Sequence, residues 1–116
     1  MTTPKTHTMR LQNRYFDYIK NGSKRIELRL YDEKRQQIKL NDIIQFSNEQ
    51  QENISAKVIE LLHNKNFNDL IDDLDIKLLA DKSMNKQDLL NDLNHFYSPQ
   101  QQKQFGVIGI RSELMD

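Results

Sequence analysis

Three side chains able to recognise a charged or hydrogen-bonding ligand crowd one short segment, Gly22-Ser-Lys24-Arg-Ile-Glu27-Leu-Arg29. Gly22 permits a tight turn out of a preceding element. Directly after it, Lys24 carries three rotatable donors and Arg29 a planar fork matched to phosphate, while Glu27 offers an acceptor that can orient either a cation or a nucleobase amino group. Strict strand alternation puts Lys24 on the face opposite Glu27 and Arg29, so convergence of the three requires Lys24 to sit in the turn before the strand becomes regular. The same string also describes an edge strand defended by charge, with Glu27 bridging Arg25 or Arg29 across solvent.

Other residues could extend such a site. Lys34 and Arg35 continue the basic surface beyond the segment, or form an ordinary solvated turn. Tyr15, Tyr31 and Tyr97 are candidate stacking platforms for bases. Tyr15 and Tyr97 fall at core-facing helical positions, which favours packing, whereas Tyr31 adjoins the charged strand face and is the best placed of the three. The absence of cysteine removes disulfides, thiolate nucleophiles and cysteine-containing zinc sites. Asp69, Asp72, Asp73 and Asp75 lack calcium-loop spacing and its central glycine, and neither a P-loop nor a dinucleotide fingerprint occurs. No metal and no cofactor is expected.

The elements that must position these groups can be read from periodicity. His7 to Leu11 alternates as a strand; Asn13 is a plausible cap for a helix carrying Tyr15, Phe16 and Ile19, and Asn21-Gly22 closes that helix. Lys24 to Tyr31 reads as a half-buried strand, with Ile26, Leu28 and Leu30 inward and Arg25, Glu27 and Arg29 forming a charged outer face. Asn41-Asp42 turns into a strand through Ile43, Ile44 and Phe46. A further strand covers Ile54 to Leu62, although Glu60 to His63 equally suits the start of a helix. Phe67, Leu70, Ile71 and Leu74 follow helical spacing behind an Asn66 cap. A second late helix, from about Asn85 to Tyr97, buries Leu89, Leu90, Leu93, Phe96 and Tyr97 and leaves Asp88, Asn91, Asp92 and Asn94 wet. Ser98-Pro99 starts a short helix, and Phe105 to Ile110 is a closing strand in which Gly106 and Gly109 suggest a bulge or a close backbone approach. This order predicts an α+β fold, a mixed β-barrel of five to six strands flanked by three to four helices.

A chain of 116 residues suits one domain, 1–116, with one modest core. At 36% hydrophobic and 29% charged residues, that core must be compact and the helix surfaces wet. The net charge of zero conceals an uneven distribution. Up to Phe46 there are ten Lys or Arg against five acids, so the first half is basic enough to supply an anion-binding face, or simply has solvated charged sides. Met1 to Met9 lacks the apolar run of a signal peptide and no stretch is long and apolar enough to cross a bilayer, which points to the cytoplasm and to no membrane partner.

The segment resembles the signature of the ASCH domain family, Gly-x-Lys-x-x-Glu-x-Arg, with Gly22, Lys24, Glu27 and Arg29 at the fixed positions. The surroundings are similar as well: His7-x-Met9-x-Leu11, Asp32-Glu-Lys34-Arg35, Asp42-Ile-Ile-x-Phe46 and Gly106-Val-Ile-Gly-Ile110. Asn41 stands where the family has glycine, a tolerable exchange because asparagine also visits the left-handed region. The resemblance implies a PUA-like barrel whose cleft, between barrel and helices, receives RNA or a nucleotide-like small molecule at the motif residues. His7 is the histidine with a family counterpart. One branch of similar domains hydrolyses acetylated cytidine with a lysine, a threonine and a glutamate; here Lys24 matches the lysine, Glu27 replaces the threonine, and Lys82 falls near the glutamate, so that amidohydrolase activity is not expected. Some similar domains act as ribonucleases, for which Glu27 or His7 as base, with Lys24 and Arg29 for the phosphorane charge, is the alternative to a pure binding role.

Overall fold

The computed structural model describes residues 3–75, 78–79 and 84–115. Five strands and four helices occur among them: β1 (Thr6–Arg10), α1 (Asn13–Lys20), β2 (Ile26–Leu30), β3 (Ile43–Ser47), β4 (Asn53–Asn64), α2 (Phe67–Asp72), α3 (Lys86–Phe96), α4 (Pro99–Phe105) and β5 (Val107–Leu114). The strands form one curled half-barrel sheet in the order β1-β3-β4-β5-β2. β1 and β3 run parallel, and every other pairing is antiparallel. The fold is therefore α+β with a mixed sheet, and β1 and β2 are its two edges. The 3-10 turn Arg35–Gln37 lies between β2 and β3.

Local chemistry explains most boundaries. Asn66 caps α2 by accepting from the Asp69 N–H, and both α3 and α4 begin with reciprocal capping boxes, Asn85 with Asp88 and Ser98 with Gln101. Pro99 occupies the first turn of α4, where its missing N–H is not needed. In α1 the outcome differs from expectation: Asn13 is the first helical residue, and Gln12 stands at the cap without a side-chain bond. Asn13 instead uses its side chain to accept from the Glu49 N–H at 3.0 Å. The segment Glu60 to His63 continues β4 instead of opening a helix, since β5 supplies partners as far as Asn64. The bulge lies in β4, between Val58 and Glu60, not in β5. Gly109 serves close approach: a Cβ there would stand 3.2 Å from the Ile26 Cγ2.

Two apolar clusters lie on the two faces of the sheet. One joins β2 to the later helices through Ile26, Leu28, Leu30, Phe67, Leu70, Leu89, Leu93 and Val107. The other packs α1 on the remaining strands through Phe16, Ile19, Ile44, Phe46, Val58, Ile108 and Ile110. The register of β2 with β5 pairs Glu27 with Ile110 and Arg29 with Ile108, which sends both charged residues to the α1 face. This corrects the expectation of a charged face in solvent, because Glu27 is buried and the Arg29 side chain is only 15% exposed. Among the described residues no helix is long and apolar enough to cross a membrane.

Candidate functional site

The turn that introduces the site is built from backbone demand. At the end of α1, Asn21 and Gly22 direct their N–H groups back to the carbonyls of Asp17 and Ile19, and Gly22 takes φ +85°, a conformation that suits glycine. The Asn21 side chain then accepts from the Ser23 N–H at 2.8 Å, and the Lys24 N–H returns to the Tyr18 carbonyl at 2.9 Å. Regular strand begins at Ile26, so Lys24 belongs to the turn and is exempt from strand alternation. It can therefore share a space with Glu27 and Arg29.

Lys24 is 3% exposed, and its ammonium is fully engaged. Nζ donates to the carbonyls of Ile26 at 2.7 Å and Leu79 at 2.8 Å, and lies 3.5 Å from Glu27 Oε1. Those three partners match its three protons. Burial drives its pKa down, an effect the negative charge of Glu27 opposes only in part. For Glu27, burial alone would raise the pKa; the charges of Lys24 and Arg29, together with the Leu28 N–H at 3.0 Å, outweigh it and hold the carboxyl below its ordinary range. Arg29 reaches across the open seam of the sheet: one Nη2 stands 3.4 Å from Glu27 Oε2 and 3.0 Å from the Arg10 carbonyl on the opposite edge strand. Burial disfavours its charge, but Glu27 and Tyr97 overcome that and the guanidinium stays firmly protonated.

These groups surround a cavity of about 160 Å³ at the seam, where the two apolar clusters meet. Leu11, Lys24, Glu27, Leu28, Leu89 and Leu93 are its buried lining. Half-buried Tyr15, Arg29, Asp92 and Tyr97 stand along its walls, and the exposed Arg10, Gln12 and Phe96 form its rim. The Tyr15 hydroxyl donates to Asp92 Oδ2 at 2.6 Å, tying α1 to α3 across the recess, and the Lys24 ammonium lies 5.6 Å from the Tyr15 ring centroid. Burial first, then the bond to Asp92, pushes the Tyr15 hydroxyl pKa well up, so it remains a donor. The recess thus combines apolar and aromatic walls with two carboxylates and a guanidinium that keeps further N–H groups beyond those bound. It can take a flat, polar-edged group and satisfy its donors and acceptors.

Of the residues singled out in the sequence, Lys24, Glu27 and Arg29 are brought together, while His7, Tyr31, Lys34 and Arg35 lie outside this recess. His7 Nε2 is 2.8 Å from Asp42 Oδ2, and the buried Asp42 also accepts from the Lys5 and Lys39 N–H groups, which fastens β1 to the turn before β3. Tyr31 meets His63 edge to face, with ring centroids 4.7 Å apart. Lys34 and Arg35 border a shallow groove with Asp32, Glu33, Gln37 and Phe105, and Arg35 pairs with Asp32 at 3.0 Å. Lys82 lies outside the described residues. Conversely, Tyr15 and Tyr97, expected mainly to pack, line the recess, as do Arg10, Gln12 and Asp92, which sequence reasoning missed. A signal for Asp92 exists: it stands three residues after Leu89 and four before Phe96, inside the apolar stripe of α3. Phe96, expected in the core, is 50% exposed. No group of three or more His, Asp or Glu side chains among the described residues could hold a metal ion.

Comparison with known proteins gives these features a context. The family model described as the ASCH domain matches residues 9–115. The crystal structure of hypothetical protein PH0355 is similar with 33% identity and a TM-score of 0.85, covering 95% of this chain and 99% of that one. The solution structure of protein PF0455 from Pyrococcus furiosus is similar with 28% identity and a TM-score of 0.75, covering 96% and 98%. No curated protein matches the chain. A family match that starts within β1 and runs through β5, enclosing Gly22, Lys24, Glu27 and Arg29, shows that the chain belongs to the ASCH domain family.

Proposed function

We propose that this protein binds RNA or a nucleotide-like ligand by taking one base into the recess between β2 and α3. The observation that carries this reading is the pair of buried Glu27 and half-buried Arg29, set side by side in a cavity walled by Tyr15, Tyr97, Leu89 and Leu93. An unstacked base needs such a place: apolar or aromatic contact for its faces and fixed polar groups for its edge. Glu27 accepts from a ring or amino N–H, Arg29 donates to a carbonyl or phosphate oxygen, and Asp92 offers a second acceptor. The cavity is smaller than the about 300–1,000 Å³ of drug-sized sites, in keeping with a single base and too small for duplex.

In this reading Lys24 serves as a support. Its three N–H groups are already engaged, and it holds the Glu27 charge in place rather than contacting the ligand. Binding is favoured over turnover for a related reason. A carboxylate held below its ordinary pKa is a weak base at neutral pH, and Lys24 has its N–H groups spent on the Ile26 and Leu79 carbonyls and on Glu27, not on the space a ligand would fill. The test is titration of short single-stranded RNAs and of the four 5′-mononucleotides, followed by NMR shifts or calorimetry, with each variant's fold checked by circular dichroism. Glu27→Gln and Arg29→Ala are each expected to weaken binding by about tenfold or more, the loss of one charge-assisted hydrogen bond. Unchanged affinity in both folded variants would sink the proposal.

A further inference from the structure

Resting on that reading, we propose that the rim of the recess is a second subsite, in which Phe96 stacks the base next to the one inside and Arg10 neutralises the phosphate between them. The natural ligand is then a single RNA strand, not a free nucleoside. The inference starts from an apolar stripe that does not stay buried. Along α3, Leu89 and Leu93 are 2% and 8% exposed, but Phe96, one further turn along the same stripe, is 50% exposed. The other large hydrophobic side chains exposed among the described residues are Leu40, Ile59, Leu114 and Met115, none of them aromatic and none lining the recess. Among the described residues the one ring neighbour of Phe96 is the adjacent His95, set edge-on with centroids 5.7 Å apart, which leaves half of the residue open to solvent at the mouth of a polar-edged cavity.

Arg10 stands on the other side of the same mouth, at the end of β1. Its carbonyl accepts from Arg29, whereas its guanidinium is exposed and makes no ion pair among the described residues. With room for one base inside, any longer strand must leave over this rim. There it meets an aromatic face and a free cation in succession, the combination that tracks single strands through stacking and backbone charge. A nucleoside bound alone would use neither group.

The experiment compares 5′-mononucleotides with the corresponding single-stranded ribotrinucleotides, by calorimetry at several salt concentrations. Wild type is expected to bind the preferred trinucleotide at least about tenfold more tightly than its mononucleotide. Phe96→Ala should bring that ratio to within about threefold, and Phe96→Trp should restore it. Arg10→Ala should lower the slope of log affinity against log salt for the trinucleotide by about 0.7, the release of one counterion from a single strand. A wild-type ratio near one, or a ratio that survives Phe96→Ala, overturns the second subsite while leaving the base recess standing. Failure of both mononucleotide and trinucleotide to bind overturns the recess reading and the subsite with it.

Discussion

Two groups of charge follow one another in the first half of the chain. In the first, the side chains of Lys24, Glu27 and Arg29 are 2%, 9% and 15% exposed and joined at 3.4–3.5 Å. In the second, Lys34 is exposed, and Arg35, its side chain 17% exposed, pairs with a neighbour, Asp32, whose side chain is 31% exposed, so the two groups differ most at the lysine and the carboxylate. The residue types are the same and the ion-pair distance is shorter in the second group, yet the energetic situations differ. Ions in water are screened, and their pairing contributes little; ions taken out of water depend on whatever partners the fold supplies. Function can be built on the first kind, since a carboxylate and a guanidinium held without solvent act strongly on an entering ligand.

The contrast breaks most visibly at Lys24. Lys24→Met keeps the length of the side chain but leaves Glu27 with Arg29 and the Leu28 N–H alone, and strips the Ile26 and Leu79 carbonyls of their donor. Removing one partner from a buried charge network is expected to cost about 3–5 kcal/mol of stability. Lys34→Met, on the exposed turn, should stay within about 0.5 kcal/mol. Urea unfolding of the two variants measures both. Losses of similar size would mean that burial does not separate the two groups.

Acid sharpens the same comparison at Glu27. Its pKa is lower in the folded chain than in the unfolded one, where a glutamate titrates near about 4.3. The unfolded chain therefore takes up a proton first as pH falls. The stabilisation is fully present above the unfolded value and is lost as pH drops through the folded one. Glu27→Gln lacks this contribution, so the difference in stability between wild type and Glu27→Gln should be greatest near neutral pH and shrink below pH of about 4. Lys34→Ala should follow the wild-type acid limb throughout. A wild-type-to-Gln gap that stays constant from neutral to acid pH would show that Glu27 is not held ionised by its neighbours.

How much of this is legible in sequence depends on the kind of information each residue carries. Helix caps such as Asn66, Asn85 and Ser98 are local chemistry and are readable directly, as is the turn at Gly22 that frees Lys24 from alternation. The sheet order is not local, and it decides which way β2 faces. Alternation correctly separates Ile26, Leu28 and Leu30 from Glu27 and Arg29, but only the pairing with β5 shows that both faces are covered. The far wall of the recess comes from α3, more than sixty residues downstream of Lys24 in the 116-residue chain, so Asp92 and Tyr97 carry no adjacency to the motif. Tyr31 shows the converse: a neighbour of the motif, one residue past the end of β2, meets His63 and does not line the cavity.

The smallest effect is expected at Arg35, and salt makes it informative. Arg35 Nη1 lies 3.0 Å from Asp32 Oδ2, but Asp32 also accepts from the Arg35 backbone N–H at 3.1 Å, a bond that survives truncation of the side chain. Arg35→Ala should therefore cost no more than about 1 kcal/mol in low salt. Raising the ionic strength to about 1 M shortens the screening length to about 3 Å, and the difference from wild type should shrink toward the noise of the measurement. The deficit of Lys24→Met should persist under the same conditions, because mobile ions do not enter the space between Lys24 and Glu27 and the unmet carbonyls of Ile26 and Leu79 are indifferent to salt. If the Arg35→Ala deficit proved the more salt-resistant of the two, the pair at the turn would be the enclosed one, and the distinction between a partly solvated charge cluster and a buried one would have to be drawn the other way round.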